Sequence, residues 1–174
     1  MLRITDNGNS EYVIIIRKNH SASEKTAAEE LAAYLKKITD AEIPVKTDDE
    51  KKTDHEIVIG FTNRGGKGKK ELGEEGFTIK TEGKRLFILG SEVRGALYGV
   101  YSFLEKCCGC RFYTDTCERV PQMNMLTVPE IDCTELPGFE YRNVYWFAQG
   151  GEMISAKLKN NGGMGHELTE RVGG

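Results

Sequence analysis

The stretch from Gly90 to Tyr113, GSEVRGALYGVYSFLEKCCGCRFY, constrains the fold of this chain more than any other. The apolar run Arg85 to Gly90 ends at a glycine, the backbone type that lets a strand turn into a helix without a side-chain clash. Ser91 reads as an N-cap. Val93, Leu97, Val100 and Leu104 then recur at helical spacing up to about Cys107, and Cys110 to Tyr113 reads as a second short strand. Gly95 and Gly99 lie one helical turn apart, off that stripe. An interior glycine costs about 1 kcal/mol against alanine, so a pair on one side points to close approach by another backbone. The approach is either helix packing within the domain or the docking face of a second domain, and Gly95 and Gly99 are taken as candidate interdomain packing residues.

Upstream, Tyr12-Val13-Ile14-Ile15-Ile16 is a β-branched run that reads as a buried strand within Glu11 to Lys18. Ser21 and Glu24 form a capping box, and Ala28, Leu31, Tyr34, Leu35 and Ile38 give the helix an apolar stripe that Asp40 and Pro44 end. Ile43 to Thr47 and Glu56 to Phe61 are further strands, and Asn63 to Gly76 is expected to be a mobile, Gly- and Lys-rich surface loop. Phe77 to Thr81 and Arg85 to Gly90 form a hairpin around Glu82-Gly83-Lys84. Met125 to Val128 is an edge strand, Pro137 to Phe147 is strand-like, and Ala148 to Gly174 is small, glycine-rich and polar. The expected class is α/β (an α+β sandwich), with one mixed, largely antiparallel sheet and two long helices on one face. Its other face is expected to meet solvent.

Composition narrows the function. A net charge of −3 and a pI near 5.7 argue against a nucleic-acid binder that neutralises phosphates. No apolar run approaches the roughly 18 residues of a membrane span. Met1 to Ser10 lacks a signal-peptide core, so the protein is either cytoplasmic or starts after a removed signal. Cys107, Cys108, Cys110, Cys117 and Cys133 do not make a zinc pattern and read first as buried structural thiols, ahead of a disulfide or of metal or redox chemistry. No cofactor and no metal are expected.

Catalytic patterns fail on inspection. Gly60 to Lys67 follows a strand, but counted from Gly60 the lysine position of a phosphate loop holds Gly66, and the residue after Lys67 is Gly68, so no hydroxyl is placed for magnesium. Gly90, Gly95 and Gly99 do not fit a dinucleotide fingerprint. His20, His55 and His166 are scattered and read as surface histidines. Arg94, in the first helical turn, is a salt-bridge partner or a ligand contact, and Glu105 with Arg111 reads as a structural pair.

Gly90-x-x-x-Arg94-Gly95-x-x-Tyr98-Gly99-x-Tyr101-x-Phe103-Leu104-Glu105, followed by Gly109-Cys110-Arg111-Phe112-Tyr113, resembles the N-terminal, non-catalytic domain of bacterial α-glucuronidases and β-N-acetylhexosaminidases. Ser23 to Leu31, Tyr34-Leu35 and Ile43-Pro44 are similar to the first helix and second strand of those domains, and the resemblance spans about residues 10–147. It implies a helix-on-sheet domain that supports a downstream TIM barrel, residues 1–134 being that domain. Leu136-Pro137-Gly138-Phe139-Glu140-Tyr141-Arg142 resembles the approach to barrel strand one, so residues 135–174 would be the start of a barrel, poorly ordered without the rest. A barrel needs about 250 residues, so the chain alone should not hydrolyse a glycoside, while the parent protein would be a glycoside hydrolase. The resemblance further implies that Arg142 holds sugar hydroxyls, with Trp146 able to stack on a sugar ring. It places the parent in the periplasm or outside the cell. Its partners would be carbohydrate and the barrel. The rival readings are a stand-alone carbohydrate-binding module using Tyr98, Tyr101, Tyr113 and Trp146, and a small cytoplasmic enzyme. Buried tyrosines in the second helix would count against the module.

Overall fold

The structure is a computed structural model that describes residues 1–66, 70–146, 149, 151–162 and 168–174. Lys67, Phe147 and His166, which carried expectations above, lie outside the described residues.

The chain runs β1 (Leu2–Asp6), β2 (Val13–Ile16), α1 (Ala22–Thr39), β3 (Val45–Thr47), β4 (Glu56–Ile59), β5 (Phe77–Glu82), β6 (Arg85–Gly90), α2 (Gly95–Lys106), β7 (Arg111–Thr114), β8 (Cys117–Arg119), β9 (Met125–Val128), β10 (Asp132–Glu135) and α3 (Glu152–Lys157). A six-stranded sheet has the order β10-β5-β6-β4-β2-β3, and β1–β9 and β7–β8 form two small ribbons. Among the described residues, the antiparallel pairings β10–β5, β5–β6, β1–β9 and β7–β8 outnumber the parallel pairings β6–β4, β4–β2 and β2–β3. The mixed sheet with two long helices is thus the architecture the sequence implies.

Local chemistry explains the first helix. Ser21 Oγ accepts from the Glu24 amide at 3.1 Å while Glu24 Oε2 accepts from the Ser21 amide at 2.9 Å, closing the capping box. Asp40 ends the helix in the left-handed region at φ 61°. The second helix starts later than expected, at Gly95 instead of just after Ser91. The Glu74 carbonyl takes the Ser91 hydroxyl and the Gly95 amide, so Ser91 anchors a turn and does not cap the helix.

Ile14, Ile57, Leu86, Ile88 and Phe77 on one sheet face share a core with Ala28, Leu31, Leu35, Leu97, Val100 and Leu104. From Gly95 to Leu104 every residue of α2 is buried, as expected of a helix covered on all sides. A Cβ on Gly95 would lie 2.4 Å from the Gly76 carbonyl oxygen, and one on Gly99 would lie 2.7 Å from Ile88 Cγ2. What approaches this side therefore belongs to the domain itself and not to a second domain: the Gly76 and Gly90 backbone at Gly95, and the Ile88 and Phe77 side chains at Gly99. Tyr101 turns to α1, donating to Glu30 Oε2 at 2.9 Å, and Tyr98 turns to the C-terminal segment, donating to the Asn160 carbonyl at 2.8 Å.

Gly99→Ala tests this packing. Helix propensity favours alanine by about 1 kcal/mol. Overpacking against Ile88 and Phe77 opposes it by about 1–3 kcal/mol, because both neighbours are themselves fixed in the core. A net loss of about 1 kcal/mol in urea unfolding is expected; a gain in stability would mean the sheet can give way.

The opposite sheet face is not left to solvent. Val58, Phe87 and Leu89 form a second buried cluster, and Gly66 sits so close that a Cβ on it would be 2.8 Å from Phe87 Cδ1. The Asn63 to Gly76 loop, expected to be mobile, is anchored in its described residues by buried Arg64, Leu72 and Glu75. Three strands absent from the sequence reading, β1, β8 and β10, are short and largely polar. β1 hides its alternating Leu2 and Ile4 next to the Asn7-Gly8 turn, and β10 reads Asp-Cys-Thr-Glu. The expected strand-like run over 137–147 has no strand in 137–146. In the C-terminal segment, Ile154, Ala156 and Val172 join the main core.

Candidate functional site

A connected polar cluster sits where the N-terminus of α2, the end of the 61–76 loop and the C-terminal segment meet. Glu75 is buried just before β5. Its Oε1 accepts from Arg94 Nε at 2.8 Å and its Oε2 from Arg142 Nη2. Arg94 also pairs with Glu74 at 3.1 Å and donates to the Gly173 carbonyl. Of the two readings left open for Arg94, the salt bridge is the one formed. Arg142 is held further by the Lys159 and Phe139 carbonyls, which accept from Nε at 2.8 Å and from Nη1 at 2.5 Å, and its amide donates to Asn161 Oδ1 at 2.8 Å.

Beside these groups lies a cleft of about 190 Å³, lined by Glu75, Phe77, Tyr98, Glu135, Leu136 and Arg142 among others. Burial first, then the Glu75 charge, pushes the Tyr98 hydroxyl up to about 12 against the smaller opposing effect of the two arginines. Glu135 accepts from Ser102 Oγ at 3.1 Å and from Lys106 Nζ at 2.7 Å. Two carboxylates thus share a cleft, but each is occupied by cationic partners. Neither is placed to hand a proton to a glycosidic oxygen as a glycosidase acid must.

Each other candidate has its place. Trp146 is exposed and does not line this cleft. Of the four proposed platform aromatics, Tyr98 and Tyr101 are buried while Tyr113 and Trp146 are exposed. Arg111 donates to the Glu105 carbonyl at 2.8 Å, whereas the Glu105 carboxylate pairs with Lys159 at 3.2 Å, so the expected Glu105–Arg111 pair is not a side-chain ion pair. His20 and His55 do not meet; His55 faces Glu11 at 3.4 Å and stands edge-on to Tyr12. Among the described residues, no group of three or more His, Cys, Asp or Glu could hold a metal ion, and no helix is long and apolar enough to cross a membrane.

A second cluster ties the tail to α1. Tyr34 Oη and Lys37 both donate to Glu118, and Lys157 of α3 pairs with Glu118 at 3.2 Å while lying over the Tyr34 and Phe112 rings. Burial opposes ionisation of Glu118, but these partners outweigh it and hold the carboxyl below its ordinary value. Sequence reasoning found neither Glu75 nor Glu118, because their partners are far along the chain.

No curated protein matches the chain. Among solved structures, the family GH115 4-O-methyl-α-glucuronidase BtGH115A, with specificity for decorated arabinogalactans, is similar at TM-score 0.57 and 15% identity over 81% of this chain and 19% of its own. The GH20 β-N-acetylhexosaminidase from Streptomyces coelicolor A3(2) is similar at TM-score 0.52 and 16% identity over 81% of this chain and 24% of its own. The chain therefore spans a quarter or less of these structures, and the likeness concerns the fold. The model described as Glycosyl hydrolase family 67 N-terminus matches residues 3–103. That match covers more than half of the chain, which accordingly belongs to the glycosyl hydrolase family 67 N-terminus family.

Proposed function

We propose that this chain is the non-catalytic accessory domain of a multidomain glycoside hydrolase and that it packs against a downstream TIM barrel of the same polypeptide. One observation carries the reading: the segment 136–146 has no regular secondary structure and exposes Leu136, Phe139, Tyr141, Tyr145 and Trp146, with Phe139 76% and Tyr145 82% exposed. Several large apolar side chains exposed within one short segment are the kind of surface that marks an interaction site. Residues 135–174 are then the start of the barrel and residues 1–134 its support. Arg142 serves as the bolt between the two: its Nη2 donates to Glu75 of the support, while Nε and Nη1 donate to the Lys159 and Phe139 carbonyls of its own segment. The parent enzyme works on glycan polymers in the periplasm or outside the cell, because a polymer does not cross the membrane.

Trp146 is the single tryptophan of the chain, so its fluorescence reports this surface directly. In residues 1–174 the emission is expected to be that of a wet indole, and to shift to the blue when the chain is extended by its downstream domain. Unchanged emission in the extended protein would overturn the packing. Quenching by soluble oligosaccharide would favour the carbohydrate-binding module instead. Residues 1–174 alone are expected to leave aryl-glucuronides and aryl-N-acetylhexosaminides intact, and turnover by them would overturn the non-catalytic reading.

A further inference from the structure

We propose that Cys107 and Cys133 are a disulfide-forming pair that staples the C-terminal end of α2 to the edge strand β10. The register places both residues at one corner. Cys133 pairs with Ile79, whose side chain lies in the core beneath the helices, so Cys133 is on the helix side of β10. Glu135 is on the same side two residues on, and it accepts from Ser102 and Lys106 of α2. β10 runs antiparallel to β5, which carries Phe77 under Gly99. Going back from Glu135 to Cys133 therefore moves along α2 towards its C-terminus, where Cys107 directly follows Lys106. The electrostatics agree with this corner: Cys107 and Cys133 both act on the Lys106 ammonium, and Cys133 acts on the Cys107 thiol.

Both thiols are half-buried and free in the structure, whereas Cys108 and Cys110 are fully buried and Cys117 is exposed. That pattern leaves Cys107 and Cys133 reachable by a small disulfide, and their shared corner sets one to resolve the mixed disulfide formed on the other. The oxidant is a low-molecular-weight disulfide such as glutathione disulfide. One protein thiolate attacks it and releases the first glutathione, and the second protein thiolate then displaces the other. Two protein thiols become one disulfide, one small disulfide becomes two thiols, and the two protons end on the glutathiones.

The test is incubation of the full chain with glutathione disulfide in mildly alkaline buffer, then trypsin and mass spectrometry without reduction. The expected product is the peptide 107–111 joined to 120–142, formed equally in Cys117→Ser and Cys108→Ser and absent from Cys107→Ser and Cys133→Ser. The melting midpoint of the oxidised protein should rise by roughly 5–10 °C, since the bond closes a loop of intermediate length. A linked peptide that persists in Cys107→Ser, or glutathione found only on Cys117 with no linked peptide, would overturn the pairing.

Discussion

Glu56→Ala is expected to lower the unfolding free energy by about 3–5 kcal/mol, the range for removing one partner of a buried ion pair. The Glu56 side chain is 0% exposed, and it faces the Arg64 side chain, 2% exposed, at 3.1 Å and Arg85 at 3.2 Å. Its Oε1 also accepts from the Thr53 amide at 2.9 Å. Alanine would leave a buried guanidinium with only carbonyl and amide oxygens around it: Arg64 Nη1 donates to the Asp48 carbonyl and to Asn63 Oδ1 at 2.9 Å, and Nη2 to the Glu50 carbonyl at 2.5 Å. Those acceptors hold part of the guanidinium in place, so the loss should fall toward the lower end of the range. Glu56→Gln keeps the shape and an acceptor for Thr53, and should cost about half as much. Urea unfolding at constant m-value measures both. Because Arg64 fixes the loop that brings Gly66 onto Phe87 and Leu89, amide exchange in that part of the sheet should rise as well. A loss below about 1 kcal/mol would show that Arg64 is held by its carbonyl contacts alone.

The sequence exposed those parts of the fold that are determined locally. α1 is readable because Ser21, Glu24 and Asp40 act on backbone groups within one turn of themselves. The hairpin is readable because Gly83 adopts φ 59° between strands that alternate. β10 was not readable, since Asp132 to Glu135 has no strand-like composition and is held by its ladder to β5 and by a Thr78–Thr134 hydroxyl contact at 2.8 Å. The start of α2 was displaced by a carbonyl seventeen residues upstream, that of Glu74, which no capping rule could include. The candidate site failed for the same reason. Arg142 was singled out through a family likeness, but its carboxylate partner lies 67 residues away in a loop that reads as solvated. The one available signal was Glu75, the second of the Glu74-Glu75 pair, set before Gly76 just ahead of β5.

Glu75→Ala should have the second largest effect, and a different one in kind. Its two arginines are less buried than Arg64, with side chains 15% and 21% exposed, so solvent can take up part of the freed charge. The expected loss is therefore nearer 2–3 kcal/mol than the full buried-pair range. Its distribution is what separates a bolt from a general core contact. Arg94 and Arg142 both reach the C-terminal segment, through the Gly173 carbonyl and the Lys159 and Phe139 carbonyls. Amide protection should fall most in α3 and around Asn160, while β4 and β6 stay near their original values. With the Glu75 charge gone and both arginines still beside it, the Tyr98 hydroxyl should ionise below its present value of about 12, because the anion that opposed ionisation has been removed and the cations that favour it remain. A spectroscopic titration of the variant against the parent chain reads this directly. Uniform loss of protection across the sheet, with no change in the Tyr98 titration, would mean that Glu75 supports the core and not the junction.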